Sequence, residues 1–420
     1  MRRFLIILLL LLVVAGCGKT QSDPDKIELS FWTISLSPSY DDYINGLIAE
    51  YERQNPHVKL NWVDLPQQAS SQKLMAGIAA GAPPDLVNTS TEFALILAQY
   101  GAIAEISDHL SQDEIERYFP NLWSSTEYDG KVYAFPWYVT TKVTMYNKDL
   151  LTKAGLDPSK PPETLEELDR QARLVSERTD AVGLMPDIRI WNDWAMEGAP
   201  AVDREKLEPL FTDPDSVAVL ERYRQLYKDQ VMPPETLTEG YRGALDRYKA
   251  GSLAFLEAGP QFLLRIKADA PSVYEVTGLA PMPRTKTNTL PAATMDFVVP
   301  RASKHKEEAI KLGLFLTSPE AQLEFCKLVP ILPSTVKSAE DPFFQSGGED
   351  PLQAEAVRIS LSQLPRARDF NLGLPRQKDL MRSLQNAVEQ AVRGEKPTAE
   401  ALSEAAREWE KTLAPFRNKQ

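Results

Sequence analysis

The sequence predicts an α/β fold whose first part carries a largely parallel sheet, and three observations predict it. Ile27-Glu28-Leu29-Ser30-Phe31-Trp32 and Val58-Lys59-Leu60-Asn61-Trp62-Val63 alternate apolar and polar residues with a period of two, as half-buried strands do. Between them, Tyr43, Leu47 and Tyr51 recur at helical spacing behind Asp41-Asp42, an acidic pair suited to a first helical turn. A second helix over Gln72 to Ala80, closed by Gly81, then leads through Pro83-Pro84-Asp85 into the short strand Leu86-Val87-Asn88. Strands and helices in strict alternation give an α/β lobe. Ligands of such sheets gather beyond the carboxyl ends of the strands, which draws attention to the residues just after Phe31 and Asn88.

The later elements follow in order. An aromatic stretch runs from Phe119 through Trp123, Tyr128 and Tyr133 to Tyr146. Pro161-Pro162-Glu163-Thr164 reads as a helix start, and helical patterns dominate from Leu165 to Lys267. Val276 to Leu279 and Phe297 to Pro300 read as strands, the second followed by a helix over Glu307 to Leu316. The tail from Gln377 to Ala414 is helical and breaks near Gly394-Glu395-Lys396-Pro397.

Composition narrows the function classes. The chain has 420 residues, 43% of them hydrophobic, which is enough for one large core or two. A formal net charge of −12 argues against a nucleic-acid partner, which needs a basic footprint. The two cysteines, Cys17 and Cys326, cannot build a disulfide framework, and no C-x-x-C spacing offers a structural zinc site. Three scattered histidines, His57, His109 and His305, give no metal cluster. Neither a metal nor a cofactor is expected.

The first residues read as a targeting segment. Arg2 and Arg3 precede an unbroken apolar run from Phe4 to Val14, too short for a spanning helix and suited to an export leader. Val14-Ala15-Gly16-Cys17 resembles the lipobox of bacterial lipoproteins, in which the leader is cut before a cysteine that is then lipidated. Residues 1–16 would be the leader, Cys17 the lipid anchor to the membrane, and 17–25 a polar tether. Cys326, in the amphipathic stretch Leu323-Glu324-Phe325-Cys326, reads as a small buried hydrophobe. Gly18-Lys19-Thr20 lacks the upstream glycine of a P-loop.

Four stretches resemble one family. Leu47 to Pro56 is similar to its first helix and exit, and Ala79-Ala80-Gly81-Ala82-Pro83-Pro84-Asp85-Leu86-Val87 to its turn into the third strand. Gly130 to Tyr138, continuing to Tyr146-Asn147-Lys148-Asp149-Leu150, is similar to its crossover between lobes, and Glu307 to Gln322 to its late helix pair. The chain thereby resembles the extracellular solute-binding proteins of carbohydrate-importing ABC transporters, of the maltose-binding-protein type. The resemblance implies two discontinuous α/β lobes of the class II periplasmic-binding-protein kind that close like a hinged jaw. Lobe 1 would hold 26–137 and 293–327, and lobe 2 would hold 142–289 and 333–420. Hinge crossings would fall near 138–141, 290–293 and 329–332. It also implies a monomer that captures a sugar and delivers it to the permease subunits of an ABC importer.

A sugar offers an apolar C–H face and paired hydroxyls, so a site for it needs aromatic plates and planar polar groups. In the first lobe Trp32 ends the first strand, Ser90 and Glu92 lie just past the third, and Trp137, Tyr138 and Thr140 lie at the crossover. Glu92 stands near the point where relatives use an acid, whereas Thr140 lacks the charge that relatives often carry. In the second lobe Trp191-Asn192-Asp193-Trp194 clusters plates and acceptors, and a buried aspartate needs a partner. Glu257 and Gln261 flank Ala258-Gly259-Pro260 where relatives carry an aromatic plate, and Asp296 sits in Thr294-Met295-Asp296-Phe297 where many have Gly-Gly-Trp. Arg366, in Leu364-Pro365-Arg366, could supply a forked donor. Asp85 reads as structural.

Two other classes fit the composition. A secreted glycosidase-like enzyme would use paired carboxylates, which abound here, although G-x-S-x-G and H-E-x-x-H are both missing. A scaffold lipoprotein that binds no small molecule is the other.

Overall fold

The computed structural model describes residues 26–346 and 350–417. The leader, the tether through Asp25 and the anchor Cys17 lie outside the described residues. The described strands are β1 (Ile27–Ile34), β2 (Val58–Leu65), β3 (Leu86–Ser90), the hairpin of β4 (Glu127–Tyr128) and β5 (Lys131–Val132), β6 (Ala134–Thr141), β7 (Val143–Asn147) and β8 (Val182–Leu184). They continue with the hairpin of β9 (Val202–Asp203) and β10 (Glu208–Pro209), then β11 (Leu253–Ala258), β12 (Thr277–Ala280), β13 (Leu290–Val298), β14 (Leu332–Pro333) and β15 (Ala367–Arg368). They build two lobes, each around its own sheet.

The first sheet has the order β14-β6-β13-β3-β1-β2, with β15 beside the start of β13. Parallel pairing is confined to β1 with β2, β1 with β3, and β15 with β13. The pairs β13–β3, β13–β6 and β14–β6 are antiparallel. The expectation of a largely parallel sheet is therefore corrected. The reason is topological: β6 carries the chain out toward the second lobe and β13 brings it back, so the two run in opposite directions side by side. β13 also begins well before the apolar run at Phe297, because Pro291-Ala292-Ala293-Thr294 shows no alternation and is ordered by its ladder with β6.

The second sheet has the order β12-β7-β11-β8, with β7 antiparallel to both neighbours and β8 parallel to β11. Only Lys142 separates β6 of the first sheet from β7 of the second. The return runs from β12 through Met282 into β13. Gln363, at the end of helix Pro351–Gln363, is buried against both passages: its Oε1 accepts from Met282 N at 2.7 Å and its Nε2 donates to Lys142 O at 3.1 Å. One side-chain amide thus fixes three chain passages to one another.

Each lobe closes over aromatic residues. In the first, the Trp137 ring stacks on Phe325 at 5.0 Å and leans on Phe297 at 4.7 Å. Cys326 packs in the same cluster, where burial pushes its thiol up. In the second, Trp194 stacks on Phe211 at 5.2 Å, and Phe211 meets Trp409 edge-on. Helix Leu165–Arg178 shows how the sequence directs this packing. Thr164 caps it by accepting from Glu167 N, and Leu168, Gln171, Ala172 and Val175 form its buried stripe at helical spacing. Asp85 has the structural role its turn suggests: it accepts from Ser30 N at 2.9 Å and from Ser303 Oγ at 2.6 Å.

Candidate functional site

Between the lobes lies a cleft of about 430 Å³. The ends of β6 and β13 supply its first-lobe wall with Thr140, Thr141, Ala292 and Ala293, and Trp191, Asn192, Tyr241 and Gln261 face it from the second lobe. Asp369, Phe370 and Asn371, in the segment after β15, line one side. That segment is pressed against the first lobe: Gly373 has φ +63°, and a Cβ there would lie 2.6 Å from Leu95 Cβ. Gln261 folds back over Gly259, where a Cβ would fall 2.3 Å from Gln261 Oε1, so glycine at 259 gives the amide its place. Thr141 Oγ1, Tyr241 OH and Gln261 Oε1 are buried there without a hydrogen-bond partner.

Behind the cleft, inside the second lobe, an adjoining cavity of about 260 Å³ shares Lys142, Asp187, Arg189 and Asn192 with it. Arg222 forks onto Asp169 at 2.7 and 2.6 Å, and Arg189 donates to Asp187 at 2.9 Å. Asp193 and Glu257 also line this cavity. Burial raises both carboxyls, that of Asp193 to about 7, against the opposing pull of Arg222 and a hydrogen bond from Tyr223. An aspartate raised in this way holds its proton in the folded state where the unfolded chain has lost it. Stability therefore falls as pH rises from about 4 to about 7 and stays lower above that. Asp193→Asn is expected to be more stable than the wild type at pH 8, by about 1–3 kcal/mol, with the difference shrinking toward pH 4.5. Urea unfolding at the two pH values checks this; equal or lower stability of the variant at pH 8 contradicts it.

The structure brings Thr140, Trp191 and Gln261 together in the cleft and Asp193 and Glu257 in the cavity behind it. The other candidates go elsewhere. Trp137 is 1% exposed within the first-lobe core and is no plate for a ligand. Trp194 is fully buried, and its Nε1 donates to Ser216 O. The reason is helical phase. Ile190 and Trp194, four apart on helix Ile190–Glu197, face the core, while Trp191 and Asn192 line the cleft and Asp193 the cavity behind it. Asp296 is fully buried and accepts from Thr91 Oγ1 at 2.7 Å. Ser90 caps the helix Thr91–Gln99, accepting from Phe93 N, and Trp32 packs on the first-lobe cluster around Leu74 and Val87. Tyr138 lies edge-on to Phe325, and burial pushes its hydroxyl up to about 12. Glu92 Oε1 accepts from Gln377 Nε2 at 2.7 Å and so links helix Thr91–Gln99 to helix Gln377–Val392; burial and nearby Asp369 raise its carboxyl. Arg366 donates to Asn288 O and braces the return passage.

Among the described residues no group of three His, Cys, Asp or Glu side chains could hold a metal ion. The bacterial extracellular solute-binding protein model matches residues 37–323, more than half of the chain. The chain belongs to that family. A candidate oligosaccharide periplasmic-binding protein from Synechococcus sp. MITs9220 is similar at 28% identity, with a TM-score of 0.79 over 92% of this chain and 99% of that one. The sugar-binding protein MalE of Xanthomonas citri superposes with a TM-score of 0.78 at 23% identity, over 93% and 98% of the two chains. By sequence, the galactooligosaccharide-binding protein of Bacillus subtilis is 22% identical over 411 residues, 94% of this chain and 93% of that one.

Several site residues of this solute-binding protein were not anticipated. Asp187 and Arg189 follow the short strand β8, so the rule about strand carboxyl ends, applied there as well as to β1 and β3, would have found them. Lys142 was visible only as the residue after the crossover. Asp169, Arg222, Tyr241 and Asn371 carry no local signal, because the folding of four separate segments brings them to the site.

Proposed function

We propose that the protein captures a sugar in the cleft between its lobes and hands it to the permease of an ABC importer. The observation that carries this reading is the cleft lining: the Trp191 plate stands among planar polar groups, the amides of Asn192, Gln261 and Asn371, with hydroxyls of Thr140 and Thr141 on the opposite lobe. An indole face suits the C–H face of a pyranose, and amides and carboxylates suit its paired hydroxyls. The family and the names of its sugar-binding relatives support the same assignment. Closure of the lobes would present one combined surface to the permease. In this reading the protein works as a monomer, tethered outside the cytoplasm through a lipid on Cys17, and it binds without turnover.

A thermal-shift screen over mono-, di- and oligosaccharides tests the proposal. A specific sugar at 100 times its Kd should stabilise the protein by about 2.7 kcal/mol, and the sugar recovered afterwards should be intact. Failure of every sugar to move the melting point contradicts capture; cleavage of the bound sugar contradicts a purely binding role.

A further inference from the structure

The cavity behind the cleft differs in character from the cleft itself. Its lining includes seven acidic side chains and four basic ones. Two of the acids are matched directly, Asp169 by Arg222 and Asp187 by Arg189. Asp193 and Glu257 form no ion pair, although both line the cavity; Lys142 and Arg222 act on both only at longer range, and Arg222 is already forked onto Asp169. Asp193 Oδ2 is enclosed and has no hydrogen-bond partner. Around them the walls are apolar, with Leu168, Leu184, Val219 and Met282. Enclosing carboxylates among such walls without a full set of partners is costly, and the low local dielectric that makes it costly also strengthens any cation that reaches them. A neutral hydroxyl could donate one hydrogen bond here but would leave the excess charge in place. An ammonium group supplies both the charge and up to three donors.

We infer that this inner cavity receives the ammonium group of an aminated sugar, so that the ligand captured in the cleft is an amino-sugar glycoside. The inference rests on the sugar-capture reading above and adds the chemical class of the ligand. The apolar walls seat the ring or a short methylene stem, and Asp193 and Glu257 flank the charged nitrogen. Burial raises the Asp193 carboxyl to about 7 against the pull of Arg222 and Lys142, so neither cation offsets its desolvation. Thr140, Trp191 and Gln261 then hold the rest of the glycoside between the lobes.

The test is isothermal titration of the full chain at neutral pH with matched sugars that differ only in one substituent: free amine, N-acetylated amine or hydroxyl. The set covers gluco- and galacto-configured mono-, di- and trisaccharides of both anomeric linkages. The amine is expected to bind at least tenfold more tightly than its hydroxyl and N-acetyl counterparts. In Asp193→Asn this preference for the amine over its neutral counterparts should shrink to threefold or less. Glu257→Gln serves as a second variant, and thermal unfolding of each verifies that it is folded. Neutral sugars binding as tightly as their amines, or a preference untouched in both variants, overturns the inference and leaves sugar capture standing. If no sugar of either kind binds, both readings fall.

Discussion

Trp137→Ala is expected to lower the unfolding free energy by about 3–5 kcal/mol and to leave the affinity of the folded protein for its sugar within about threefold. Trp191→Ala should do the reverse: it should cost about 1–2 kcal/mol of stability and weaken capture by about 10–100-fold. The two residues looked alike in sequence, each an aromatic in a segment similar to a sugar-binding family. They differ in what surrounds them. Trp137 is enclosed between Phe297 and Phe325, and removing its ring leaves a cavity that those rings cannot fill without shifting. Trp191 is only partly buried, packs one side on the second-lobe core and presents the other to the cleft. Urea unfolding and titration calorimetry on both variants separate the roles. A Trp137 variant of normal stability and lost binding would contradict the placement of that ring.

Arg222→Met is expected to be the most damaging charge substitution in the second lobe, costing about 2–4 kcal/mol. Arg222 is forked onto Asp169 and also opposes the charge of Asp193. Removing it leaves two acids beside the same cavity without that compensation, and breaking a buried pair from one side costs more than the pair contributes. The cost stays below that of a sealed pair because Arg222 and Asp169 keep 23% and 18% of their side-chain exposure. Removing both charges, as Asp169→Leu with Arg222→Met, should recover most of the loss, and urea unfolding of the single and double variants reads this directly. A double variant no better than Arg222→Met would contradict the pairing argument.

The parts of the fold that were legible in the sequence are those set by local period. β1, β2 and the helices beside them follow from alternation at two and at 3.6, and the break at Gly394–Pro397 separates helices Gln377–Val392 and Thr398–Arg417 as its residues suggest. The antiparallel half of the first sheet was not legible, because β6 and β13 find each other across more than a hundred residues and β13 opens with Pro291-Ala292-Ala293. At the site, residue type identified a cluster but not its orientation. Trp191 and Trp194 stand in one run, and only the phase of the helix that starts at Ile190 sends one to the cleft and the other to the core. Asp296 and Glu92 have the chemistry of sugar acceptors, yet Asp296 is sealed in the core beside Thr91, and one oxygen of Glu92 is already engaged by Gln377. Asp369 and Asn371 reach the cleft on a segment held against Leu95, a long-range contact that leaves no mark in local pattern.

The central claim is that one sugar is held between the lobes by cleft residues from both. Isothermal titration of the best sugar from the thermal screen into the wild type and into Trp191→Ala/Gln261→Ala tests it most directly. One binding site per chain and an affinity at least tenfold weaker in the cleft variant are the predicted results. Undiminished affinity in a folded cleft variant would contradict the claim, because the sugar would then be held somewhere other than between the lobes.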